Sequence, residues 1–390
     1  MNKLDLICSR DNCTGCSMCT NICPKSAITM ENDEHGFIQS EIDKNKCIDC
    51  GLCKSKCPTN SEELFGNKVK TVYASWNKNS KERKKSTSGG VFSELARCVL
   101  KKKGCVIGVQ WSDNFNPEHT IICNVEDLDK LKGSKYAQSD IGDTYKKVKD
   151  LLAEGNMVLF SGTPCQVAAL KSFLGRDYEN LLCVDLVCHG VTSAKMLSAY
   201  YEEVHKGVLQ SVSLRYKDPY WDYTFVKMKY KDGYHYQKLT IDDDFFNLFN
   251  IGYSLRNSCH NCKYTTTYRV GDITLADFWG YLPHNLKGIS YNKGTSCVLL
   301  NTEKGERLFS AVRDGLYIEE STIEKAVSGN RCLKESFTLD NGLLENFWRD
   351  YEDGFSLKEL NEKYCVGTFK IPSLLPLKRL YRKFRWVIKR

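Results

Sequence analysis

No stretch of this 390-residue sequence approaches the run of about 20 apolar residues that a bilayer-spanning helix requires. The nearest, Asn156 to Leu170, is broken by Gly162 and Pro164, so a membrane-spanning protein is excluded. An apolar signal core is missing as well. The chain starts Met1-Asn-Lys-Leu-Asp-Leu-Ile-Cys8-Ser-Arg10, and a reducing, cytoplasmic setting is expected. Charge of one sign is scarce once it is located. The net charge is +8, but Lys378, Arg379, Arg382, Lys383, Arg385, Lys389 and Arg390 lie within Leu374 to Arg390, which has no acidic residue, and this leaves +1 for the rest. A polyanion-binding body is therefore not expected, and nucleic acid is not a partner. The 42% hydrophobic content supplies an ordinary globular core, and the length allows two or three domains.

Cysteine is abundant, with twenty in all, and eight of them form a repeated run. Cys13-Thr-Gly-Cys16-Ser-Met-Cys19-Thr-Asn-Ile-Cys23-Pro24 is echoed by Cys47-Ile-Asp-Cys50-Gly-Leu-Cys53-Lys-Ser-Lys-Cys57-Pro58. Each half reads C-x2-C-x2-C-x3-C-P and resembles the run that holds one of two 4Fe-4S clusters in bacterial-type ferredoxins. In that fold the fourth cysteine of each run crosses to the other cluster. The resemblance thus implies one set of Cys13, Cys16, Cys19 and Cys57 and a second of Cys47, Cys50, Cys53 and Cys23. Two intervening residues let three thiolates converge from one tight loop, with Gly15 and Gly51 relieving backbone crowding. Paired C-x-x-C motifs also make zinc ribbons, but four cysteines per half with proline closure exceed what zinc needs. The spacing leaves Cys8 outside the run.

Beyond Pro58 a polar segment, Thr59 to Lys70, reads as a linker. Strands are expected at Val72 to Trp76, Cys105 to Trp111, Thr120 to Val125, Met157 to Ser161 and Leu181 to Val187. Helices are expected from Val91, over Thr144 to Glu154, and from the Gly162-Thr-Pro-Cys165 turn through Phe173. This rhythm argues for an α/β layer with functional loops at strand ends. The basic stretch Lys78 to Lys85 reads as a solvated loop. Ser86-Thr-Ser-Gly-Gly90 precedes a helix and is either a phosphate cradle or a plain N-cap. Between Val212 and Leu239, strands alternate around an Asp232-Gly233 turn. Cys165, Cys188 and the Cys259-His-Asn-Cys262 pair admit two readings: a further 4Fe-4S site, or two buried small hydrophobes beside half of a zinc site.

From Val72 to about Ile318 the chain resembles the family of the coenzyme F420 hydrogenase/dehydrogenase beta subunit. The likeness rests on Ser88-Gly-Gly90, Gly133-Ser-Lys-Tyr136, Ser161-Gly-Thr-Pro-Cys-Gln166, Cys188-His-Gly190, Cys259-His-Asn-Cys262 and Gly271-Asp-Ile-Thr-Leu-Ala-Asp-Phe-Trp-Gly280, in that order. Members of that family bind FAD and a 4Fe-4S cluster. The resemblance implies Cys165, Cys188, Cys259 and Cys262 as ligands of a third cluster. It also implies flavin contacts at Ser88, Gly89, Gly90, Ser134, Lys135 and Tyr136. The expected fold is a bacterial-type ferredoxin at 1–62 followed by an α/β flavin-binding body with mixed sheets, its parts at 72–155 and 156–330, and a helical extension at 331–390.

The resemblance implies an iron-sulfur flavoprotein oxidoreductase that passes electrons from the ferredoxin-type clusters through the body cluster to FAD and on to a small-molecule substrate. Its electrons would come from a redox partner protein or reduced ferredoxin. The alternative is an electron-transfer subunit that docks on a separate catalytic protein; a redox-responsive binding protein without turnover is a third reading. His189, Asp272 and Asp277 are the candidates for proton transfer. Their ordinary roles, a supporting hydrogen-bond donor for the histidine and turn or strand-end residues for the aspartates, are the preferred readings. In the tail, Leu377, Leu380, Tyr381, Phe384 and Ile388 share one helical face opposite the basic residues. This is the pattern of a helix lying on an anionic membrane surface, or of a docking helix or a disordered basic end. The remaining cysteines, Cys8, Cys98, Cys105, Cys123, Cys183, Cys297, Cys332 and Cys365, are expected to be buried or incidental.

Overall fold

The protein is described from a computed structural model over residues 6–61, 66–282 and 293–365. The basic tail and the membrane contact considered for it lie outside the described residues. Among those residues, no helix is long and apolar enough to cross a membrane.

The N-terminal module carries one hairpin, β1 (Ile28–Asn32) with β2 (Ile38–Ile42). Short helices at Met18–Ile22 and Leu52–Ser55 follow the first cysteines of each run. The short strand β3 (Asn67–Lys68) leads into the body, whose strands are β4 (Thr71–Asn77), β5 (Cys105–Trp111), β6 (Pro117–Ile122), β7 (Val158–Gly162), β8 (Leu181–Leu186), β9 (Leu209–Tyr220), β10 (Tyr223–Tyr230), β11 (His235–Leu239), β12 (Tyr268–Arg269), β13 (Ile273–Asp277), β14 (Ser296–Leu300) and β15 (Leu316–Ser321).

Eight of these form one mixed sheet in the order β15-β4-β14-β13-β8-β7-β5-β6. Strands β13, β8, β7 and β5 are mutually parallel, while β14 and β6 run against their neighbours. The central strands read Val-Leu-Phe and Leu-Leu-Cys-Val because both faces are covered. Ile107, Phe160 and Cys183 face one apolar cluster; Val106, Leu159, Leu182 and Val184 face another. A second antiparallel sheet, β11-β10-β9, packs with the helices Asn341–Glu352 and Leu357–Tyr364 through Phe347, Trp348 and Leu360.

The 72–155 and 156–330 portions contribute strands to the same large sheet, so they are parts of one layer. Because β14 is antiparallel to both β13 and β4, strands β4, β5, β7, β8 and β13 all end at the same edge. The loops after Asn77, Gly162, Leu186 and Asp277 therefore gather there, where ligands sit in open α/β sheets. A capping box between Thr163 and Gln166, with Pro164 at the first turn, starts the helix Pro164–Leu174 at that edge.

Three expectations need correction. Strand β6 starts at Pro117, three residues before the expected Thr120, because Ser112 and Asn116 close a tight turn through Ser112 N to Asn116 O, 2.9 Å, and Asn116 N to Ser112 Oγ, 3.1 Å. The basic stretch Lys78 to Lys85 is largely helix, Ser80–Lys85, capped by Asn79, and its Arg83 is buried. Cys105 and Cys123, read as incidental, are joined as a disulfide. Val106 pairs with Ile122, so the register sets Cys105 opposite Cys123 with Cα atoms 4.3 Å apart.

Candidate functional site

The two cysteine runs line two hollows. Cys13, Cys16, Cys19 and Cys57 surround one of about 300 Å³. Cys23, Cys47, Cys50 and Cys53 surround the other, of about 390 Å³. Each hollow thus collects three cysteines from one run and the fourth from the other. Among the described residues no three His, Cys, Asp or Glu side chains close on a single ion. Cysteines spread around a hollow suit a multi-iron cubane better than one Zn²⁺, whose thiolates lie about 2.3 Å from the metal. Backbone amides already point at two sulfurs, Gly15 N at Cys13 Sγ (3.4 Å) and Ala27 N at Cys23 Sγ (3.3 Å). Cys8 was missed by spacing; it lines the first hollow with the other four.

The first hollow faces the body. Arg256 donates to Cys13 O (2.6 Å), Ile38 O (2.9 Å) and Gln138 Oε1 (2.8 Å), while Gln138 donates to Thr14 O (3.0 Å) and Gly15 O (3.1 Å). Gly15, at φ 61°, is confined on two counts, since a Cβ there would come within 2.1 Å of Gln138 Nε2. The second hollow faces water. Cys50 and Ile48 are exposed, as are Lys25, Lys44, Lys46, Lys54 and Lys56. Asp43 and Asp49 are the nearby acids in the same segment.

Cys165, Cys188, Cys259 and Cys262 are also gathered by the fold. Cys165 starts the helix after β7, with Thr163 Oγ1 3.1 Å from its sulfur. Cys188 follows β8, and the helix Asn257–His260 bears Cys259. Arg256 N donates to Val191 O (3.0 Å), so the two loops run side by side. The four thiols influence one another electrostatically. Burial pushes Cys259 up to about 12 and Cys262 up to about 11, and raises Cys165 and Cys188. Four buried thiols with raised pKa values lose their protons readily only against a strong cationic partner, which is what a cluster of iron offers. Behind them, the buried Arg269 meets Asp185 at 3.3 Å and donates to Tyr264 O (3.0 Å), Thr266 O (3.0 Å) and Leu186 O (2.9 Å). One side chain thereby fixes both the Cys262 loop and the strand leading to Cys188. Tyr264 and Tyr145 adjoin cysteines of both sets: Tyr264 is near Cys16, Cys57, Cys165 and Cys262, and Tyr145 near Cys16, Cys19 and Cys165.

The loops expected to contact flavin meet one another. Ser134 N and Oγ both donate to Thr87 Oγ1, at 2.9 and 3.1 Å. Ser88 Oγ is spent on Thr295 O (2.9 Å) and Gly89 N on Ser296 Oγ (3.0 Å), so neither group is free to bind a ligand in this arrangement. Gly90 starts the helix Val91–Lys101 in the left-handed region, φ 85°, with no side-chain cap. That leaves the helix's first amides without a side-chain acceptor. Lys135 donates to Lys132 O and Gly133 O, and Tyr136 hydrogen-bonds Arg215.

Sequence reasoning missed the cations beside these loops. Arg83 donates to Gly294 O (2.8 Å), and Lys217 to Ser88 O and Lys293 O. Arg83, Arg215 and Lys217 influence one another with Asp277 as the acid among them. Burial holds Arg83 down to about 10 and Lys217 and Lys135 down to about 7. Arg83 Nη2 and Arg215 Nη2 are buried without hydrogen-bond partners. Two orphaned guanidinium nitrogens and a lysine short of counter-charge fit the diphosphate of a flavin dinucleotide.

The proton-transfer candidates separate. His189 Nε2 lies 2.9 Å from Phe249 O, and burial lowers its pKa. The ring, packed against Phe249 and Phe337, is thus a neutral donor to a carbonyl. Asp277, at the end of β13, is paired with Arg215 and accepts from Trp221 Nε1 (3.0 Å). Asp272 lies at the opposite edge of the sheet, roughly 17 Å away along β13. There it accepts from Cys183 N and Thr302 Oγ1, both at 2.7 Å. The fold does not bring it to the cysteines or the flavin loops; it ties β13 to β8.

Comparison with known proteins bears on the whole arrangement. Residues 12–61 match the family model for a 4Fe-4S dicluster domain. Residues 72–145 and 155–326 match the N-terminal and C-terminal models of the coenzyme F420 hydrogenase/dehydrogenase beta subunit. The chain belongs to that family. One of the subunits of the F(420)H(2) dehydrogenase of Methanosarcina mazei is 24% identical over 338 residues, covering 82% of this chain and 87% of the relative. A chain in a solved structure of the F420-reducing [NiFe] hydrogenase complex from Methanosarcina barkeri is 17% identical, with a TM-score of 0.45, over 78% of this chain and 94% of that one. That likeness is too loose to carry an argument. Family membership, with the dicluster match, brings in iron-sulfur chemistry and electron transfer.

Proposed function

We propose that the chain is the electron-transfer subunit of an oxidoreductase assembly, docking on a separate catalytic protein and holding two ferredoxin-type 4Fe-4S clusters, a third cluster in the body and FAD. The proposed domain limits are 1–62 for the ferredoxin, 72–155 and 156–330 for the two parts of the body, and 331–390 for the extension. When bound, the clusters supply one-electron transfer and the flavin supplies exchange between one- and two-electron chemistry.

The observation that carries this reading is the serial placement of the cysteine sets. The second set opens to water at Cys50, the first faces inward, and Tyr145 and Tyr264 adjoin both the first set and the body set. Each residue's task is to hold a carrier or exclude water. Cys13, Cys16, Cys19 and Cys57 hold one cluster, Cys47, Cys50, Cys53 and Cys23 another, and Cys165, Cys188, Cys259 and Cys262 the third. Arg83, Lys217 and Arg215 would take the flavin diphosphate, with the Gly90 turn, Ser134, Lys135 and Tyr136 beside it. The exposed lysines around Ile48 and Cys50 suit an acidic redox protein, whose charge steers the encounter. The relative's own name, that of a dehydrogenase component, supports an assembly member over a self-sufficient reductase.

A second reading, an enzyme with its own small-molecule substrate, is favoured by one feature. Trp279, 40% exposed, stacks on Trp221 at 4.4 Å beside Arg215 and Asp277, and offers an aromatic platform at the sheet edge. Anaerobic purification with iron, sulfide and flavin counted per chain separates the possibilities. About twelve irons and one FAD are expected; about eight irons would remove the body cluster, and absence of flavin would remove the FAD site. Turnover of an organic substrate by the isolated chain would overturn the subunit reading.

A further inference from the structure

The two cysteine runs are related by an offset of 34 residues, which carries Cys13, Cys16, Cys19 and Cys23 onto Cys47, Cys50, Cys53 and Cys57. The same offset carries Cys8 onto Ile42. Both residues line their respective hollows, Cys8 the first and Ile42 the second. The pseudo-repeat thus places a thiol at one site and a hydrocarbon at the matching place of the other.

The position of Cys8 is built. Cys13 N donates to Ser9 O (3.0 Å) and Asn12 N to Ser9 O (3.2 Å), so a tight turn folds Cys8 back over the run. From the other side Asn60 Nδ2 donates to Ile7 O (2.9 Å) and Asn60 N to Cys57 O (3.0 Å), so one asparagine pins the Cys8 strand to the Cys57 loop. Ile7 itself is buried in the core, which prevents the segment from lifting away. The Cys8 thiol is within hydrogen-bonding reach of both Cys13 and Cys57.

We propose that Cys8 is a positioning residue that donates an S–H hydrogen bond to the cysteine sulfurs of the first set, making the cluster held there easier to reduce than the one held by the second set. The inference rests on reading both runs as 4Fe-4S ligands. Reduction adds negative charge to a cluster and its thiolates, and a donor aimed at those sulfurs stabilises the reduced form. Ile42 offers the second set no such donor. Four thiolates already complete each set, so the fifth cysteine keeps its proton.

The test uses the full-length, anaerobically purified protein and EPR-monitored potentiometry, with iron counted in every sample. If wild-type protein contains no clusters, the iron-sulfur reading itself fails and the Cys8 inference falls with it. If clusters are present, Cys8→Val, which imitates the second half, should retain all its iron while the reduced fraction of one cluster at fixed potential falls about fivefold, as loss of one net hydrogen bond implies. The other cluster should not move. Cys8→Ser, which keeps a donor, should stay near wild type. The inference is overturned if Cys8→Val titrates like wild type, if Val and Ser variants shift alike, or if both lose about four irons, since that marks Cys8 as a ligand. Should Cys8→Val not fold, Ile42→Ser provides the reciprocal reading: a hydroxyl in the second hollow should raise the reduced fraction of the second cluster, and no change there overturns the proposal.

Discussion

The two halves of the N-terminal module share one spacing and differ in almost everything around it. The first hollow is pressed against the body, with Arg256 and Gln138 bonded to the backbone at Cys13, Thr14 and Gly15. The second leaves Cys50 and Ile48 in solvent among lysines. A repeated ligand pattern therefore does not make two equivalent sites. What each can do is decided by what packs on it: one is a relay held inside the protein, the other a surface that a partner can reach.

The largest expected effect comes from removing the clamp on the inward half. Arg256→Met leaves Cys13 O, Ile38 O and Gln138 Oε1 without their donor and should cost about 3–5 kcal/mol in anaerobic denaturant unfolding. Under mild chelation the first set should lose its iron before the second; loss of both together would break the distinction between the halves. Next are the two loop glycines. Gly15→Ala meets both a positive φ and Gln138, and should destabilise by about 3 kcal/mol. Gly51→Ala has a φ of 70° but nothing within 4 Å, and should lose about 1 kcal/mol. Equal losses in the same unfolding experiment would mean that the body does not confine the first half. The smallest effect is expected at the surface. Lys25→Glu with Lys54→Glu should slow reduction by an acidic ferredoxin about tenfold at low ionic strength, with the difference shrinking in about 0.5 M salt. A salt-independent rate in stopped-flow mixing would move the docking surface elsewhere.

Legibility in the sequence followed how local the controlling physics is. The cysteine runs could be read because thiolate ligation sets spacing within a dozen residues. The strands β5 and β8 could be read because burial on both faces writes continuous apolar runs. Cys8 could not, because Asn60 and the Ser9 turn bring it to the hollow and no spacing rule counts it. Arg83, Arg215 and Lys217 were missed for a related reason. Long charged side chains read as solvated, and only the folded chain shows Arg83 buried beside Gly90 and Gly294. The block Gly271 to Gly280 misled in another way. It runs the length of β13, so its two aspartates land at opposite edges of the sheet, and only Asp277 reaches the site.

Cys19, Cys53 and Cys57 belong to the same apolar cluster as Tyr145, Phe160 and Val167 to Leu170 of the body. That shared core has a bearing on biogenesis. Iron and sulfide must be delivered while the chain is still open, because a chain that closes first has to reopen its core to be loaded. Synthesis under iron starvation should accordingly leave an immature polypeptide with loosened packing well beyond the module itself, and hand that polypeptide to the cell's proteases.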